Sequence, residues 1–219
     1  AWKIAPALAC GNTVVIKSAE TTPLTLYKLA EVIEEAELPE GVVNIISGDG
    51  ATGAAIVSHP KTKKIAFTGS TEVGKLIMKQ TAGTDKKLTL ELGGKAANII
   101  FEDAPIDAAI EGIINGIYFN QGHVCCAGSR LLVQESIKDV VIKKLKYRLK
   151  SLRVGDPLDK NTDVGAINSK MQLDRIKELV QSGINEGAKI YQSECSLPQR
   201  GYWFRPTFFS DVAQSHRIA

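Results

Sequence analysis

Cysteine and histidine are scarce in this sequence of 219 residues, which has four cysteines and three histidines. Four cysteines, two of them adjacent at Cys125 and Cys126, are too few and too unevenly spaced for a disulfide scaffold. No histidine lies at metal-ligand spacing from another ligand, so we predict no metal site. This composition favours a reducing, intracellular setting: the cytoplasm, with an organellar matrix as the alternative.

Long apolar runs and an excess of one charge are also lacking. No stretch approaches the roughly twenty apolar residues that a membrane-crossing helix needs. The net charge of +3 is too small to indicate binding to nucleic acid or to an anionic membrane. The densest basic run, residues 143–150, follows a helical pattern and is predicted to be a solvated helix face that needs no partner.

Short β-branched runs alternate with segments of helical periodicity along the chain. This alternation predicts an α/β fold with parallel strands and helices on the faces of the sheet. Thr22 is expected to cap a helix whose first residue is Pro23. We place a domain boundary near Gly93 and Gly94. The predicted strands are 12–17, 42–46, 64–68, 87–92, 97–101, 131–134, 190–191 and 208–209, and the predicted helices are 24–36, 70–81, 105–119, 137–152 and 169–186.

The first glycine-rich motif, residues 48–53, follows a strand and matches the dinucleotide-binding fingerprint letter for letter. However, its helix must end before Pro60, and the acidic residue expected at the end of the next strand is missing. The pattern therefore favours a turn that opens a short helix, while direct contact with a pyrophosphate stays open.

The second glycine-rich motif, residues 69–75, resembles a phosphate loop, but Leu76 stands where a hydroxyl would have to hold magnesium. A P-loop NTPase is therefore a poor interpretation. A strand that runs through Gly69 and Ser70 into a helix still directs free N–H groups and a helix dipole at an anion. The motif is a candidate pyrophosphate site, and a helix cap by Ser70 or Thr71 is compatible with that role.

The segment 119–130 leaves an apolar helix, turns at Gly122 and presents Cys125 before the next strand. A cysteine in such a place is often buried and inert. A disulfide between Cys125 and Cys126 would be strained. The segment nevertheless resembles the active-site stretch of the aldehyde dehydrogenase superfamily. Residues 89–95, 67–74 and 14–23 are similar, in the right order, to that family's glutamate, nicotinamide-nucleotide and ribose-binding motifs.

The resemblance implies an oxidoreductase that converts a small aldehyde to a carboxylic acid with NAD(P). Cys125 aligns with the nucleophile and Glu91 with the general base. It implies that residues 1–93 are part of a Rossmann-like NAD-binding domain and that residues 94–219 are part of the thiol-bearing α/β catalytic domain. The cofactor-binding positions that it implies are Lys17 and Glu20 for the ribose, Gly69, Ser70 and Gly74 for the pyrophosphate, Gly50 packed close to the adenine, and Leu92.

Simpler interpretations of these residues stay open. Glu91 could be an exposed carboxylate at a strand end, and Lys17 with Glu20 an ordinary ion pair worth at most about 1 kcal/mol. A glutamate on the ribose would repel a 2′-phosphate, so NAD is favoured over NADP. His123 departs from the family pattern, and a packing or solvent-facing role is favoured over one beside the thiol.

The resemblance also implies that this chain is an internal piece of a longer protein and is inactive alone. The family's second oxyanion donor and its nicotinamide-ribose glutamate belong to motifs outside the sequence. The longer protein is expected to be a homodimer or homotetramer that binds neither nucleic acid nor membrane.

Two other functions compete with aldehyde oxidation to an acid. One is an inactive homologue that acts as a scaffold, and the presence of both Cys125 and Glu91 disfavours it. The other is an acylating relative that passes the thioester to coenzyme A or phosphate, and Glu91 favours water instead.

Overall fold

The computed structural model describes residues 2–219, and the chain divides into two compact units with a boundary between Gly93 and Gly94. The assignment of a cofactor-binding domain to the first and of a catalytic domain to the second stays a prediction.

The first unit is built from strands that alternate with helices. Strand β1 pairs in parallel with β2, and β3 pairs in parallel with β4. Parallel neighbours need a crossover, and α2 and α4 supply it, as the sequence pattern predicts. The elements are α1 (Ile4–Ala9), β1 (Val14–Lys17), α2 (Leu24–Glu35), β2 (Val43–Ile46), α3 (Gly50–Ser58), β3 (Lys64–Thr68), α4 (Thr71–Thr81) and β4 (Lys87–Glu91).

The start of α2 differs from the expectation that Thr22 caps it. Pro23 occupies the capping position, because its carbonyl accepts hydrogen bonds from the backbone N–H groups of Leu26 and Tyr27. The backbone N–H of Thr22 instead donates to Ala19 in the preceding turn. No side chain caps α2, and its first helical residue is Leu24 instead of Pro23.

The first unit has a small apolar core on β3 and β4. Val57 of α3, Ile65 of β3 and Ile77 of α4 are buried together. Partly buried side chains of the two strands pack against them: Phe67, Leu88 and Leu90. Alternate residues of both strands are exposed, as expected when one face of a strand is covered.

The second unit combines a parallel and an antiparallel strand pair. Strand β5 pairs in parallel with β6, and β7 pairs antiparallel with β8. The short strands expected at 190–191 and 208–209 are confirmed as this last pair. The elements are β5 (Ala97–Ile100), α5 (Ile106–Tyr118), a 3-10 turn (Phe119–Gly122), β6 (Arg130–Val133), a 3-10 turn (Glu135–Ile137), α6 (Lys138–Leu149), α7 (Lys170–Asn185), β7 (Lys189–Gln192) and β8 (Thr207–Ser210).

The core of the second unit lies between α5 and α6. Both helices bury residues at three- and four-residue spacing, which places these side chains on one face of each helix. On the solvent side, Lys144 and Arg148 form ion pairs with Asp107 and Glu111 of α5. The basic run is thus a surface face, but two of its residues form ion pairs that the sequence did not predict. The core residues are Ile100, Ile110, Ile113, Ile114, Val141, Leu145, Leu149 and Leu152.

Replacement of Leu149 by alanine is predicted to destabilise the second unit. Leu149 has no solvent exposure, so the truncation removes apolar contacts and leaves a cavity. We expect a loss of about 2–5 kcal/mol in the free energy of unfolding, measured by urea denaturation. Lys143→Ala on the exposed side of α6 is the control, with a change below about 0.5 kcal/mol. Equal effects of the two variants would contradict this core.

Candidate functional site

Cys125 lies in a tight turn between α5 and β6. The backbone N–H of Ala127 donates to the carbonyl of Val124 over 3.0 Å, so Cys125 and Cys126 are the two central residues of a β-turn. Both cysteines are exposed and both are free thiols, so no bond joins them. Cys125 is therefore exposed, in contrast to the buried cysteine considered from the sequence.

Hydrogen bonds hold this turn against its own unit. The backbone N–H of Gly128 donates to Gly116 of α5 over 3.2 Å. The Asn120 side-chain amide donates to the carbonyl of His123, also over 3.2 Å. At Gly128 a Cβ atom would lie 3.0 Å from the Cβ of Asn98 in β5, so a larger residue would displace the turn. No feature of the sequence predicts this contact with β5.

The backbone just before the turn adopts an uncommon conformation. Asn120 and Gln121 have φ values of 48° and 56°, and Gly122 has 76°. Two consecutive non-glycine residues in the left-handed region are unfavourable, and such strain is concentrated at functional sites. The sequence predicted a turn at Gly122 but not the left-handed conformation of the two residues that precede it.

Backbone donors beside the thiol are unused. Within residues 2–219, the backbone N–H groups of Cys125 and Cys126 have no hydrogen-bond acceptor. An N–H group in a turn that faces no acceptor is available to an oxygen atom bound next to the sulfur. The turn thus combines an accessible nucleophile with nearby donors.

Tyr118 and Phe119, at the end of α5 and the start of the following 3-10 turn, differ in exposure. Phe119 is 68% exposed, whereas Tyr118 packs against the core between α5 and α6 and donates to the carbonyl of Thr207. Tyr118 is therefore not a surface contact.

His123 is half-buried, and desolvation lowers its pKa, so its imidazole is neutral at neutral pH. Both roles considered for His123 stay open.

Glu91 is the last residue of β4 and belongs to the first unit, whereas Cys125 belongs to the second. Its side chain is exposed, on the same face as those of Lys87 and Thr89. Its carbonyl accepts a hydrogen bond of 3.1 Å from the backbone N–H of Gly69, which follows the neighbouring strand. The carboxylate is therefore at the carboxyl-terminal edge of the β3–β4 pair, beside the second glycine-rich motif.

Ser70 caps α4, because its hydroxyl accepts a hydrogen bond of 3.2 Å from the backbone N–H of Val73. The N–H groups of Thr71 and Glu72 have no acceptor within the described residues. An eleven-residue helix with two free N–H groups at its start can bind an anionic group. The cap that the sequence allowed and a pyrophosphate site are compatible here.

At Gly69 and Gly74 an added side chain would meet atoms of neighbouring residues. A Cβ at Gly69 would lie 2.4 Å from the ring of Phe67, and one at Gly74 would lie 2.6 Å from Leu92. Leu92 therefore packs on α4 where the helix has no side chain. The roles of all three residues toward a cofactor stay predictions.

Lys17 and Glu20 are brought together at the end of β1. The Lys17 ammonium donates to the carbonyls of Ser18 and Gly48 over 2.8 and 2.9 Å, and to the Glu20 carboxylate over 3.2 Å. A hydrogen bond from its own backbone, followed by the contact with Lys17, lowers the pKa of Glu20. Glu20 is therefore a carboxylate at neutral pH.

The turn before α3 is shaped by Gly48 and Asp49. Gly48 has φ of +152°, and a Cβ there would lie 2.1 Å from the Thr52 hydroxyl. The Asp49 carboxylate accepts from the N–H groups of Ala51 and Thr52, which makes it the cap of α3. The structure thus contains the turn and short helix that the sequence favoured. The aspartate cap itself was missed, although aspartate before a helix is its usual signal.

Gly50 makes no close contact within the described part of the chain. A Cβ at this position would meet no protein atom within 4 Å, because Gly50 begins α3 on its open side. Any crowding there would have to come from a bound molecule, and its place beside an adenine stays a prediction.

No helix in the part of the chain that the structure describes has the length and apolarity to cross a bilayer. Among these same residues, no three histidine, cysteine, aspartate or glutamate side chains cluster in a way that could hold a metal ion.

Comparison with known proteins gives a match over the whole sequence. Residues 1–219 match the model of the aldehyde dehydrogenase family. Retinal dehydrogenase 2 of Taeniopygia guttata is 52% identical over 221 residues, which cover 100% of this chain and 43% of that protein. The chain therefore spans less than half the length of the curated relatives that it matches.

Solved structures agree in fold. An aldehyde dehydrogenase from Bacillus cereus superposes with a TM-score of 0.94 at 42% identity, over 99% of this chain and 44% of the other. PnpE, solved in complex with nicotinamide adenine dinucleotide, gives 0.88 at 41% identity, over 94% and 43%. An NADP-dependent enzyme from E. coli gives 0.94 at 36% identity, over 99% and 45%. These matches extend over the glutamate, glycine-rich and cysteine segments alike, and the chain belongs to the aldehyde dehydrogenase family.

Proposed function

We propose that a whole-length protein containing this chain oxidises an aldehyde to a carboxylic acid with NAD, through a covalent adduct on Cys125. The observation that carries the proposal is the Cys125 turn: an exposed thiol flanked by backbone donors without acceptors. Family membership supports the reaction type, and the named residues supply the steps.

The first step is addition of the Cys125 thiolate to the carbonyl carbon of the aldehyde. A new carbon–sulfur bond forms, and the carbonyl oxygen takes the electron pair as an oxyanion in a thiohemiacetal. The N–H of Cys125 stabilises that oxyanion by donating a hydrogen bond. This role fits a donor that has no partner of its own within the described residues.

The second step converts the thiohemiacetal into a thioester on Cys125. The oxyanion reforms its carbonyl as hydride leaves the former aldehyde carbon. When bound, the nicotinamide ring supplies the acceptor for that hydride. The aldehyde carbon is thereby oxidised by two electrons, while Cys125 keeps the acyl group.

The third step releases the acid and restores the thiol. Glu91 takes a proton from water, whose oxygen attacks the thioester carbonyl, and the carbon–sulfur bond breaks. The exposed position of the Glu91 side chain at the end of β4 supports this role, since water can reach it.

The residues at the strand ends of the first unit fit a dinucleotide. The free N–H groups of Thr71 and Glu72 at the start of α4 would receive a pyrophosphate. Lys17 and Glu20, joined at 3.2 Å, would hold the hydroxyls of a ribose with one donor and one acceptor. This donor set is the observation that supports a nicotinamide dinucleotide as the cofactor.

NAD is the proposed form, because the ionised Glu20 would repel a 2′-phosphate. The comparisons include a neighbour bound to NAD and another named as NADP-dependent, so the preference has to be measured. Retinal belongs among the aldehydes to test, since relatives 52% identical are named retinal dehydrogenases.

The Cys125→Ala variant of the whole-length protein is predicted to lose the reaction. Without the thiolate no thiohemiacetal forms, so NADH formation followed at 340 nm should fall by at least about 10³-fold. Cys126→Ala is the matched control, because it removes an equally exposed thiol from the same turn. We expect it to retain activity within about threefold. The opposite pattern would make Cys126 the nucleophile.

The Glu91→Gln variant is predicted to stop at the thioester. Acylation does not need this base, so each site should form about one NADH in a burst, followed by a steady state about 10²–10⁴ slower. Glu34→Gln removes one charge from the exposed side of α2 and should leave both phases unchanged. If the steady-state rate of NADH formation in Glu91→Gln equals that of the wild type, Glu91 is not the general base. Acyl transfer to added coenzyme A or phosphate in place of water would indicate an acylating enzyme.

Substitution of Glu20 by glutamine is predicted to weaken the preference for NAD. Neutralising a carboxylate about 4 Å from a 2′-phosphate should raise the NADP-to-NAD ratio of kcat/KM by about tenfold. The measurement is steady-state kinetics with each cofactor at saturating aldehyde. An unchanged ratio would show that Glu20 does not face the 2′-position.

A further inference from the structure

Asp49 lies next to the ion pair of Lys17 and Glu20, although it is far away in sequence. The Lys17 ammonium contacts Glu20 and the carbonyl of Gly48 at the same time. Asp49 directly follows Gly48, so its carboxylate is carried by a turn that is tied to the same ammonium. Consistent with this proximity, the charge of Asp49 opposes ionisation of Glu20 and acts to raise the pKa that the other contacts lower.

The Asp49 carboxylate is held in place more firmly than that of Glu20. Its Oδ1 atom accepts hydrogen bonds from the N–H groups of Ala51 and Thr52 over 2.9 and 3.3 Å. The side chain of Glu20 is 59% exposed, and its partners are the Lys17 ammonium and its own backbone, neither of which belongs to a helix cap. Glu20 can therefore rotate away to admit a phosphate, whereas Asp49 can leave only by uncapping α3.

Two positive groups lie near Asp49. The Lys17 ammonium already contacts oxygen atoms of Ser18, Gly48 and Glu20, so a ribose hydroxyl would have to share or replace one of these contacts. The nine-residue helix α3 carries partial positive charge at its start, which would attract a phosphate. Asp49 occupies that end and neutralises it.

We propose that Asp49 is a second cofactor-specificity residue, which excludes the 2′-phosphate of NADP even when Glu20 turns away. The inference rests on the proposed function, because it assumes that the dinucleotide's adenosine ribose binds between Lys17 and Glu20. Asp49 acts by repulsion from a fixed position and by cancelling the attraction of α3 for a phosphate. Glu20 acts by direct contact with the hydroxyls.

The test measures binding of NAD and NADP to the whole-length protein without aldehyde, by isothermal titration calorimetry. Asp49→Asn and Asp49→Ser remove the charge, and both retain an oxygen that can cap α3. Asp85→Asn is the matched control. It removes the same charge from an exposed residue beside Lys86, whose ammonium contacts Val57 and His59 at the opposite end of α3. Thermal unfolding checks that each variant is folded.

The Asp49→Asn and Asp49→Ser variants are both expected to lower the Kd for NADP by about fivefold and to change the Kd for NAD by less than about twofold. The difference should shrink at 1 M salt, because salt screens exposed charges, and Asp85→Asn should have no effect. If both Asp49 variants bind NADP as the wild type does and bind NAD normally, the role of Asp49 is overturned while the proposed function stands. Failure of the wild-type protein to bind either cofactor would overturn the proposed function together with this inference.

Discussion

Parallel pairing is the constraint on which the candidate cofactor residues depend. Two neighbouring strands can run in parallel only if a crossover returns the chain to the starting edge, so both carboxyl ends emerge on the same side. In the β1–β2 pair that edge carries Lys17 and the Gly48 turn. In the β3–β4 pair it carries Gly69 and Glu91, which are joined by a backbone hydrogen bond. Ligands of open parallel sheets bind at such edges.

The thiol of the second unit depends on backbone geometry of another kind. A helix followed by left-handed residues and a β-turn bring Cys125 to the surface, and its N–H has no partner among residues 2–219. Contacts of Gly128 with α5 and β5 fix the turn from behind. Catalysis by preorganised donors requires such rigidity, because a donor that must reorient contributes little to stabilising a developing charge.

Much of the fold could be predicted from the sequence, because periodicity and helix caps are local. Residues 64–68 and the cap at Ser70 are examples, since alternation and a serine before an amphipathic run need no tertiary context. The cap at Pro23, the conformation of Asn120 and Gln121, and the open space at Gly50 could not be predicted. They depend on hydrogen bonds and packing that the periodicity of the sequence does not determine. The roles of Cys125 and Glu91 came from resemblance to a family, since a cysteine in a turn and a carboxylate at a strand end have no unique function.

In the proposed mechanism Cys125 carries the acyl group during turnover. To detect it, the whole-length Glu91→Gln variant is mixed with NAD and an aldehyde, quenched with acid, and its peptides are mapped by fragment-ion mass spectrometry. We expect an acyl mass on the sulfur of Cys125, dependent on NAD and absent from Cys126. An adduct on Cys126, or NADH formation with no adduct on either cysteine, would contradict it.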